Sequence, residues 1–259
     1  MCCLFLAASS TVAIAQTSVV DLVNPIIGTN GMGHTFPGAC VPFGLVQLSP
    51  DTDTIPHNVD GKYQPRSYEY CAGYQHKDSS IVGFSHTHFS GTGHSDLGDI
   101  LIMPTTGTLK LNPGTATNPD GGYRSRFSHG TEISRPGYYE VMLTDYGVKA
   151  QLTTTQRVGI HKYTYPTNSE NQRIILDMIH GIYNYDGKVL WTNIRVENDT
   201  LVTGYRITNG WARTNYTYFA MSFSKPITHY GCEEKAKVNY RGGYAKFNMK
   251  ENFPNIGGR

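Results

Sequence analysis

The sequence has little charge. Asp, Glu, Lys and Arg make up 16% of its 259 residues, whereas soluble domains usually hold about a quarter. The net charge is +2, so the chain lacks the basic field that marks nucleic-acid-binding proteins, and no nucleic-acid partner is predicted. A neutral chain with 18 tyrosines suits a neutral polar ligand such as a sugar.

Several motifs of catalytic and metal sites are missing as well. The sequence contains no Gly-x-Ser-x-Gly nucleophile elbow. Gly91-Thr92-Gly93 precedes no helical pattern, so no phosphate-binding loop is predicted. No CxxC pair is present, which argues against a structural zinc site. Beyond the first residues the cysteines are Cys40, Cys71 and Cys232, which allow at most one disulfide within the chain.

The first residues resemble a secretion signal. Residues 2–15 are almost uncharged and mostly apolar or small, and Ala13-Ile14-Ala15 before Gln16 matches the small-x-small cleavage pattern. The basic start of such signals is missing, and a buried first strand or helix is the alternative. Because the stretch is too short to cross a bilayer, no membrane span is expected. We predict a signal peptide over 1–15, one domain over 16–259, and a periplasmic or extracellular location.

A sustained helical period is also lacking, and short apolar runs are instead separated by Gly, Pro, Asn and Asp. Strands are predicted over Val41–Leu48, Ile100–Pro104, Tyr138–Leu143, Val148–Thr155, Gly159–Tyr165, Arg173–Asp177, Leu201–Ile207 and Tyr216–Phe223, with further strands near Val238–Tyr240 and Tyr244–Phe247. Along 216–223, alternate residues should face opposite sides. This pattern predicts an all-β sandwich or barrel of mainly antiparallel strands with few helices. Because the last strands look like the middle of a sheet, we expect the domain to be truncated at its C-terminal end.

Residues 28–98 form a long Gly/His-rich segment that is too large for hairpin loops and is therefore the expected place of function. Its first cluster spans 33–39. Gly and Pro there predict a loop whose backbone can approach a ligand closely. His34 would offer a polar edge and Phe36 a flat apolar face, although a packed turn with a buried Phe36 is the alternative.

The second cluster spans 83–96 and contains His86 and His88. On a strand these two imidazoles would share one face, where they could bind a metal, contact a polar ligand or join a buried hydrogen-bond network. A cupin-type metal site would need a glutamate a few residues later, but the sequence there runs from Phe89 to Gly93 without one. This composition weakens the metal interpretation.

The third cluster spans 68–76 and places tyrosines beside Glu69 and His76. Aromatic rings with nearby polar groups are typical of sugar sites, and a tyrosine-rich strand with exposed hydroxyl groups is the alternative. Glu69 is a candidate catalytic acid only if a second carboxylate stands at a fixed distance, and nothing in the sequence places one.

Together these clusters resemble glycoside hydrolase family 92, the calcium-dependent exo-acting α-mannosidases abundant in gut Bacteroidetes. The resemblance covers about Val20 to Pro226. It rests on the sequence at 20–29, 34–39, 42–44, 47–52, 71–74, 83–88, 90–93, 98–100, 132, 136–139, 152–153, 157–159 and 210–212.

The resemblance implies a large, supersandwich-like β-sandwich that precedes an (α/α)6-barrel domain, with the active site between the two. It implies an inverting hydrolysis of terminal α-linked mannose, in which one carboxylic acid protonates the leaving oxygen and a second carboxylate activates water. Both carboxylates and most calcium ligands would belong to the barrel, so no catalytic residue, metal ligand or cofactor is expected in this chain. Its partners would be a mannose-containing glycan and its own C-terminal barrel.

The sandwich should contribute part of the sugar pocket. The loop at 34–38 is expected at the terminal mannose and the segment at 68–74 at the leaving-group sugar, where relatives often carry Trp instead of Tyr68 and Tyr70. Of His86, His88 and Asp96, some are expected to hold the loops in position and not to contact sugar. The predicted substrate-binding residues are His34, Thr35, Phe36, Gly38, Tyr68, Tyr70, His86, His88 and Asp96.

Two other functions stay open at this point. The chain could be a stand-alone carbohydrate-binding module, or a metalloprotein that uses His86 and His88. The mannosidase hypothesis also predicts an exposed apolar face on the sandwich, where the barrel would dock.

Overall fold

The computed structural model describes residues 18–52, 55, 57–91, 96–185, 187–236 and 243–248. The predicted signal peptide and the strand predicted near Val238–Tyr240 lie outside these residues. Within them, no helix is long and apolar enough to cross a membrane.

The described residues form strands and short 3-10 helices. The strands are β1 (Ala39–Cys40), β2 (Gln47–Asp51), β3 (Asn58–Val59), β4 (Lys62–Tyr63), β5 (Ser80–Ile81), β6 (Gly83–Ser85), β7 (Leu101–Thr105), β8 (Ser125–Arg126), β9 (Ile133–Arg135), β10 (Tyr138–Leu143), β11 (Val148–Thr154), β12 (Gly159–Thr164), β13 (Arg173–Asp177), β14 (Val189–Asn198), β15 (Leu201–Thr208), β16 (Asn215–Ser222), β17 (Gly231–Ala236) and β18 (Gly243–Asn248). The 3-10 helices are η1 (Val19–Leu22), η2 (Pro65–Tyr70), η3 (Pro119–Gly121) and η4 (His129–Thr131).

These strands make three main sheets. A seven-stranded sheet has the order β1-β2-β6-β7-β13-β18-β17, a four-stranded sheet the order β12-β11-β10-β9, and a three-stranded sheet the order β14-β15-β16. Two small sheets pair β3 with β4 and β5 with β8. Every described strand pair is antiparallel.

The seven-stranded sheet is the middle layer, because its side chains alternate between two hydrophobic cores. Leu101 and Met103 on β7 pack with residues of β10 and β11 in the first core. Ile102, between them, packs with residues of β15 and β16 in the second core. On β13, Ile175 belongs to the first core and Leu176 to the second. Successive strand residues point to opposite faces, so the four-stranded and three-stranded sheets cover opposite sides of the middle sheet.

The predicted all-β sandwich fold is confirmed. The alternation along β16 is confirmed too, since Tyr216 and Tyr218 are exposed while Phe219 and Met221 pack in the second core. The strand predicted over Val41–Leu48 is wrong in most of its length. A turn replaces it, in which Gly44 N–H donates to Val41 O, and the chain becomes extended again only at β2.

The three cysteines that the structure describes, Cys40, Cys71 and Cys232, form no disulfide with one another. Burial raises the pKa of Cys71 to about 11, so this side chain stays a neutral thiol at physiological pH. Burial also raises the pKa of Cys40. Neither group has the lowered pKa that marks a reactive cysteine.

Candidate functional site

A fully buried carboxylate lies between two histidines at the end of β2. His88 Nε2 is 2.8 Å from Asp51 Oδ1, and His180 Nε2 is 2.9 Å from Asp51 Oδ2. The side chains of Asp51 and His88 are completely buried, and that of His180 is 9% exposed. We call these three residues the buried triad. It connects β2, the loop after β6 and the loop after β13.

The hydrogen bonds of the buried triad fix where its protons lie. His88 Nδ1 lies 2.7 Å from Gln47 O; a carbonyl only accepts, so Nδ1 carries a proton. A further proton must therefore lie between His88 Nε2 and Asp51. Burial by itself would raise the pKa of Asp51, but the neighbouring charges and hydrogen bonds of His88 and His180 outweigh it and hold this pKa well below its ordinary value. The triad thus holds an ionised carboxylate.

Gly73 covers one side of the buried triad at very short range. A Cβ atom at this position would lie 2.2 Å from Asp51 Oδ1 and 3.1 Å from His88 Nε2. Gly73 also has a φ of 81°, a left-handed conformation that glycine adopts without strain. Both facts make glycine necessary here, and Gly73 O in turn accepts a hydrogen bond from Thr52 N–H.

Aromatic rings pack next to the triad; two of the four are buried and two half-buried. The ring of His34 meets that of Tyr68 edge-on at 4.9 Å, and the rings of Tyr68 and Tyr183 are stacked at 6.4 Å. Phe36 lies 5.4 Å from the ring of His88 and so joins this surface to the triad. We call His34, Phe36, Tyr68 and Tyr183 the aromatic wall.

Two members of the aromatic wall have unusual backbones and one has an unused hydrogen-bonding atom. His34 has a φ of 53° and Tyr183 a φ of 51°, which is uncommon for bulky residues. Such strain concentrates at functional sites. His34 Nε2 is buried and has no hydrogen-bond partner among the described residues, although buried polar atoms normally have one.

Two buried cations hold the loop that carries His180 and Tyr183. Arg206 Nε pairs with Asp99 Oδ1 at 2.8 Å, and its Nη1 donates to His180 O. The ammonium group of Lys188 donates to Ile182 O. Arg206 and Lys188 are fully buried. Because both side chains donate to backbone carbonyl groups of this loop, their role is to fix its position.

Some predicted site residues have structural contacts instead. Thr35 N–H donates to Gly28 O and its Oγ1 donates to Ile27 O, which closes the loop on itself. At Gly38 a Cβ would lie 2.2 Å from Leu48 O, so this glycine permits close backbone packing against β2. Tyr70 is 2% exposed and its hydroxyl donates to Asp78. These contacts direct the Tyr70 ring into the interior and away from the aromatic wall.

His86 and His88 do not share a face as the sequence suggested, because β6 ends at Ser85, before both. His86 Nδ1 lies 2.7 Å from Ile100 O and its Nε2 lies 3.0 Å from His161 Nε2. His88 belongs to the buried triad. Both nitrogens of each ring are therefore committed to separate networks, which removes the support for a His-x-His metal site.

Asp96 holds a loop. Its Oδ1 accepts from Trp211 N–H at 2.6 Å and its Oδ2 from Ala212 N–H at 3.0 Å. A Cβ at Gly210 would lie 1.7 Å from Asp96 Oδ1, so this glycine is needed for the close approach. The contacts fit the expectation that part of the predicted set supports loops.

Sequence reasoning missed three residues of this region. Asp51 stood inside a motif that carried the family resemblance, but nothing in the sequence indicated its burial. His180 and Tyr183 lie about 130 residues further along the chain, beyond the long Gly/His-rich segment. A signal that could have found them is the run from Asp177 to Gly187, which is rich in His, Tyr and Gly and follows a strand.

Calcium, which the resemblance implies, prefers oxygen ligands. In the described part of the chain, three metal-ligating side chains lie together at His76, His129 and Glu132, with ligand atoms within 4.8 Å of one another. Two of the three donors are imidazole nitrogens, so this group does not fit calcium.

Comparison with known proteins agrees with this architecture. The sequence matches the Glycosyl hydrolase family 92 N-terminal domain over residues 22–254. It is 39% identical to a family GH92 α-mannosidase of Bacteroides thetaiotaomicron that was solved in complex with mannoimidazole. The two structures superpose with a TM-score of 0.76, over 90% of this chain and 30% of the mannosidase. The inverting family GH92 mannosidase of B. thetaiotaomicron VPI-5482 has the same fold at 24% identity and a TM-score of 0.65, over 93% of this chain and 31% of that one.

A curated relative is similar over a shorter stretch. An uncharacterized secreted glycosidase of Arthroderma benhamiae is 28% identical over 170 residues, which are 62% of this chain and 19% of that protein. The chain thus spans less than a third of these relatives' length. The match to the family domain nevertheless covers most of the sequence, and the chain therefore belongs to glycosyl hydrolase family 92, as its N-terminal domain.

Proposed function

We propose that this chain is the non-catalytic N-terminal part of a secreted α-mannosidase and forms one wall of its sugar pocket. A following domain would supply the two carboxylates of an inverting mechanism and the ligands of calcium. The α-mannosidase structures that match this chain are about three times its length, and a matching relative is described as secreted. Both facts support the proposal.

The observation that carries the pocket is the aromatic wall. Tyr68 is half-buried and offers ring surface on which the C–H face of a sugar can stack, with the buried ring of Tyr183 behind it. His34 Nε2 lies beside this ring and has no hydrogen-bond partner among the described protein atoms. Apolar lining with a few placed polar groups is the usual composition of a ligand site. Since the buried triad is closed to solvent, we assign it the role of holding the wall in place.

The exposed aromatic face of the three-stranded sheet supports the proposed partner domain. Trp191, Tyr216 and Tyr218 are 52%, 55% and 70% exposed. Trp191 pairs with Ile207, and Ile207 with Tyr216, so their side chains lie side by side across the sheet. Exposed apolar patches of this kind mark interaction surfaces. We assign this face to the following domain.

The test uses the chain together with the polypeptide encoded after Arg259. We expect release of mannose from an aryl α-mannoside. His34→Asn, in which Asn tolerates the left-handed backbone, and Tyr68→Ala should each lower kcat/KM at least tenfold, equivalent to about 1.4 kcal/mol of transition-state binding. Tyr138→Ala, a half-buried tyrosine on β10, is the matched control and should stay within about twofold of wild type.

Two results would contradict the proposal. If the coding sequence stops after Arg259 with no further domain, the product is not this enzyme. If both wall variants retain wild-type kcat/KM, the aromatic wall does not meet the substrate. Strong binding of methyl α-mannoside by the chain alone in calorimetry would instead favour a stand-alone carbohydrate-binding module.

A further inference from the structure

A second cluster of polar side chains lies apart from the aromatic wall and the buried triad. His129 Nδ1 is 2.8 Å from Glu132 Oε2, and the rings of His76 and His129 are 4.0 Å apart. His129 begins η4 and Glu132 directly follows it, so the two side chains face each other at a spacing of three residues. His76 comes from the loop after η2.

The carboxylate of Glu132 is oriented by two buried tyrosines. Tyr74 OH donates to Glu132 Oε1 at 2.9 Å, and Tyr139 OH donates to the same oxygen at 2.6 Å. Both rings are buried. Hydrogen-bonded support of this kind is typical of metal-ligating carboxylates.

The cluster combines a protected carboxylate with an open side. The side chain of Glu132 is 3% exposed, whereas that of His129 is 36% exposed. The ion can therefore enter from solvent past His129 and meet a fixed anion behind it. The ligand atoms of all three side chains lie within 4.8 Å of one another. In a tetrahedral zinc site with bonds of about 2.0–2.1 Å, ligand atoms stand roughly 3.3 Å apart.

We propose that His76, His129 and Glu132 bind a divalent transition metal ion, for which zinc is the best match, with water completing the coordination. Two imidazoles and one carboxylate are a common ligand set for zinc. The 2.8 Å contact between His129 and Glu132 has to widen by about half an ångström to admit the ion. The lack of a CxxC pair excludes only a cysteine-based structural zinc site, and this site needs no cysteine.

The ion would fasten two distant parts of the chain. His76 follows Gly73, which lies against the buried triad, while His129 begins η4 and Glu132 caps its end and leads into β9. A ligand that binds only the folded state raises stability. We therefore assign the site a structural role, which is independent of whether the chain acts in a mannosidase.

The experiment titrates zinc chloride into the metal-free protein at pH 7.5 by calorimetry, with thermal melts in parallel. We expect one zinc ion per chain and a higher Tm with zinc. His129→Ala and Glu132→Gln should each weaken binding at least tenfold and abolish the Tm increase. His229→Ala, a half-buried histidine far along the chain from the cluster, is the matched control and should bind zinc like wild type.

Cobalt(II) substitution separates this site from the free cysteines. The visible d–d bands of the cobalt protein should appear without a thiolate charge-transfer band, and should be absent in His129→Ala. His76→Ala provides a second test if Glu132→Gln does not fold, which its melt without metal would reveal. The proposal is overturned if wild type binds no stoichiometric zinc, if the histidine variants bind zinc as tightly as wild type, or if the cobalt spectrum shows thiolate ligation.

Discussion

Replacing Asp51 by alanine should lower the free energy of unfolding of this domain substantially. The substitution removes a fully buried carboxylate that accepts from His88 at 2.8 Å and from His180 at 2.9 Å. It leaves two buried imidazoles without their shared partner. Breaking a buried ion pair by removing one member costs about 3–5 kcal/mol. We therefore expect a loss of about 3 kcal/mol or more.

Two further variants make this experiment specific. In Asp51→Asn the amide has nearly the same shape, and its NH₂ group can donate to the neutral Nε2 of His88 while its oxygen accepts from His180. We therefore expect a smaller loss, about 1–2 kcal/mol. Asp199→Ala removes a carboxylate from the exposed turn between β14 and β15 and should change the free energy of unfolding by less than about 0.5 kcal/mol.

The same variants should differ in acid. The pKa of Asp51 in the folded protein lies below its ordinary value, whereas its pKa in the unfolded chain is about 3.9. Its ionised form thus contributes stability above about pH 4, and the contribution is lost as the pH falls through the lower folded pKa. Wild type should therefore lose stability below pH 4 more steeply than Asp51→Ala.

The assay is urea unfolding followed by far-UV circular dichroism at pH 7, 5, 4 and 3. Two outcomes would refute the reasoning: a free energy of unfolding for Asp51→Ala within 1 kcal/mol of wild type at pH 7, or an equally steep acid dependence in both proteins. Either would mean that the carboxylate contributes little beyond its volume.

Three other predictions concern single positions. Gly73→Ala should destabilise the fold by more than about 2 kcal/mol in urea unfolding, because its Cβ would meet the Asp51 carboxylate. Gly61 also has a positive φ, 74°, but has open space around it, so Gly61→Ala should cost only about 1 kcal/mol. Equal losses in the two variants would contradict the steric argument. Asp96→Ala should speed limited proteolysis in the loop at 210–212 by at least threefold, and an unchanged cleavage rate would exclude its anchoring role. Tyr216→Ser with Tyr218→Ser should lower the fluorescence of a bound hydrophobic dye by about half; undiminished fluorescence would place the apolar surface elsewhere.

Much of the fold could be read from the sequence where one face of a strand is buried. The segments Tyr138–Leu143 and Arg173–Asp177 were predicted with the bounds that the structure has. Val189–Asn198 was missed, although it is the longest described strand. Its exposed and half-buried positions carry Asn, Arg and Glu, so its hydrophobic pattern is weak. Pairing with β15 along its length compensates for that pattern.

The site divides in the same way. His34, Phe36 and Tyr68 were predicted as site residues, and the structure places them in the aromatic wall. Prediction was possible because local Gly and Pro composition indicates loops that can approach a ligand. Whether a neighbouring residue faces the loop or the interior depends on contacts from other strands. Tyr70 turns towards Asp78 and Asp96 towards the loop at 210–212 for this reason.

By itself the sequence determined the strand pattern, the low charge and the family motifs, since period, turn residues and short motifs are local properties of the chain. Only the tertiary structure decided which polar residues meet. Asp51, His88 and His180 come together from separate strand ends, and His76 comes to Glu132 from a loop more than 50 residues earlier in the chain. Burial and charge pairing arise from packing between distant segments, which no local pattern encodes.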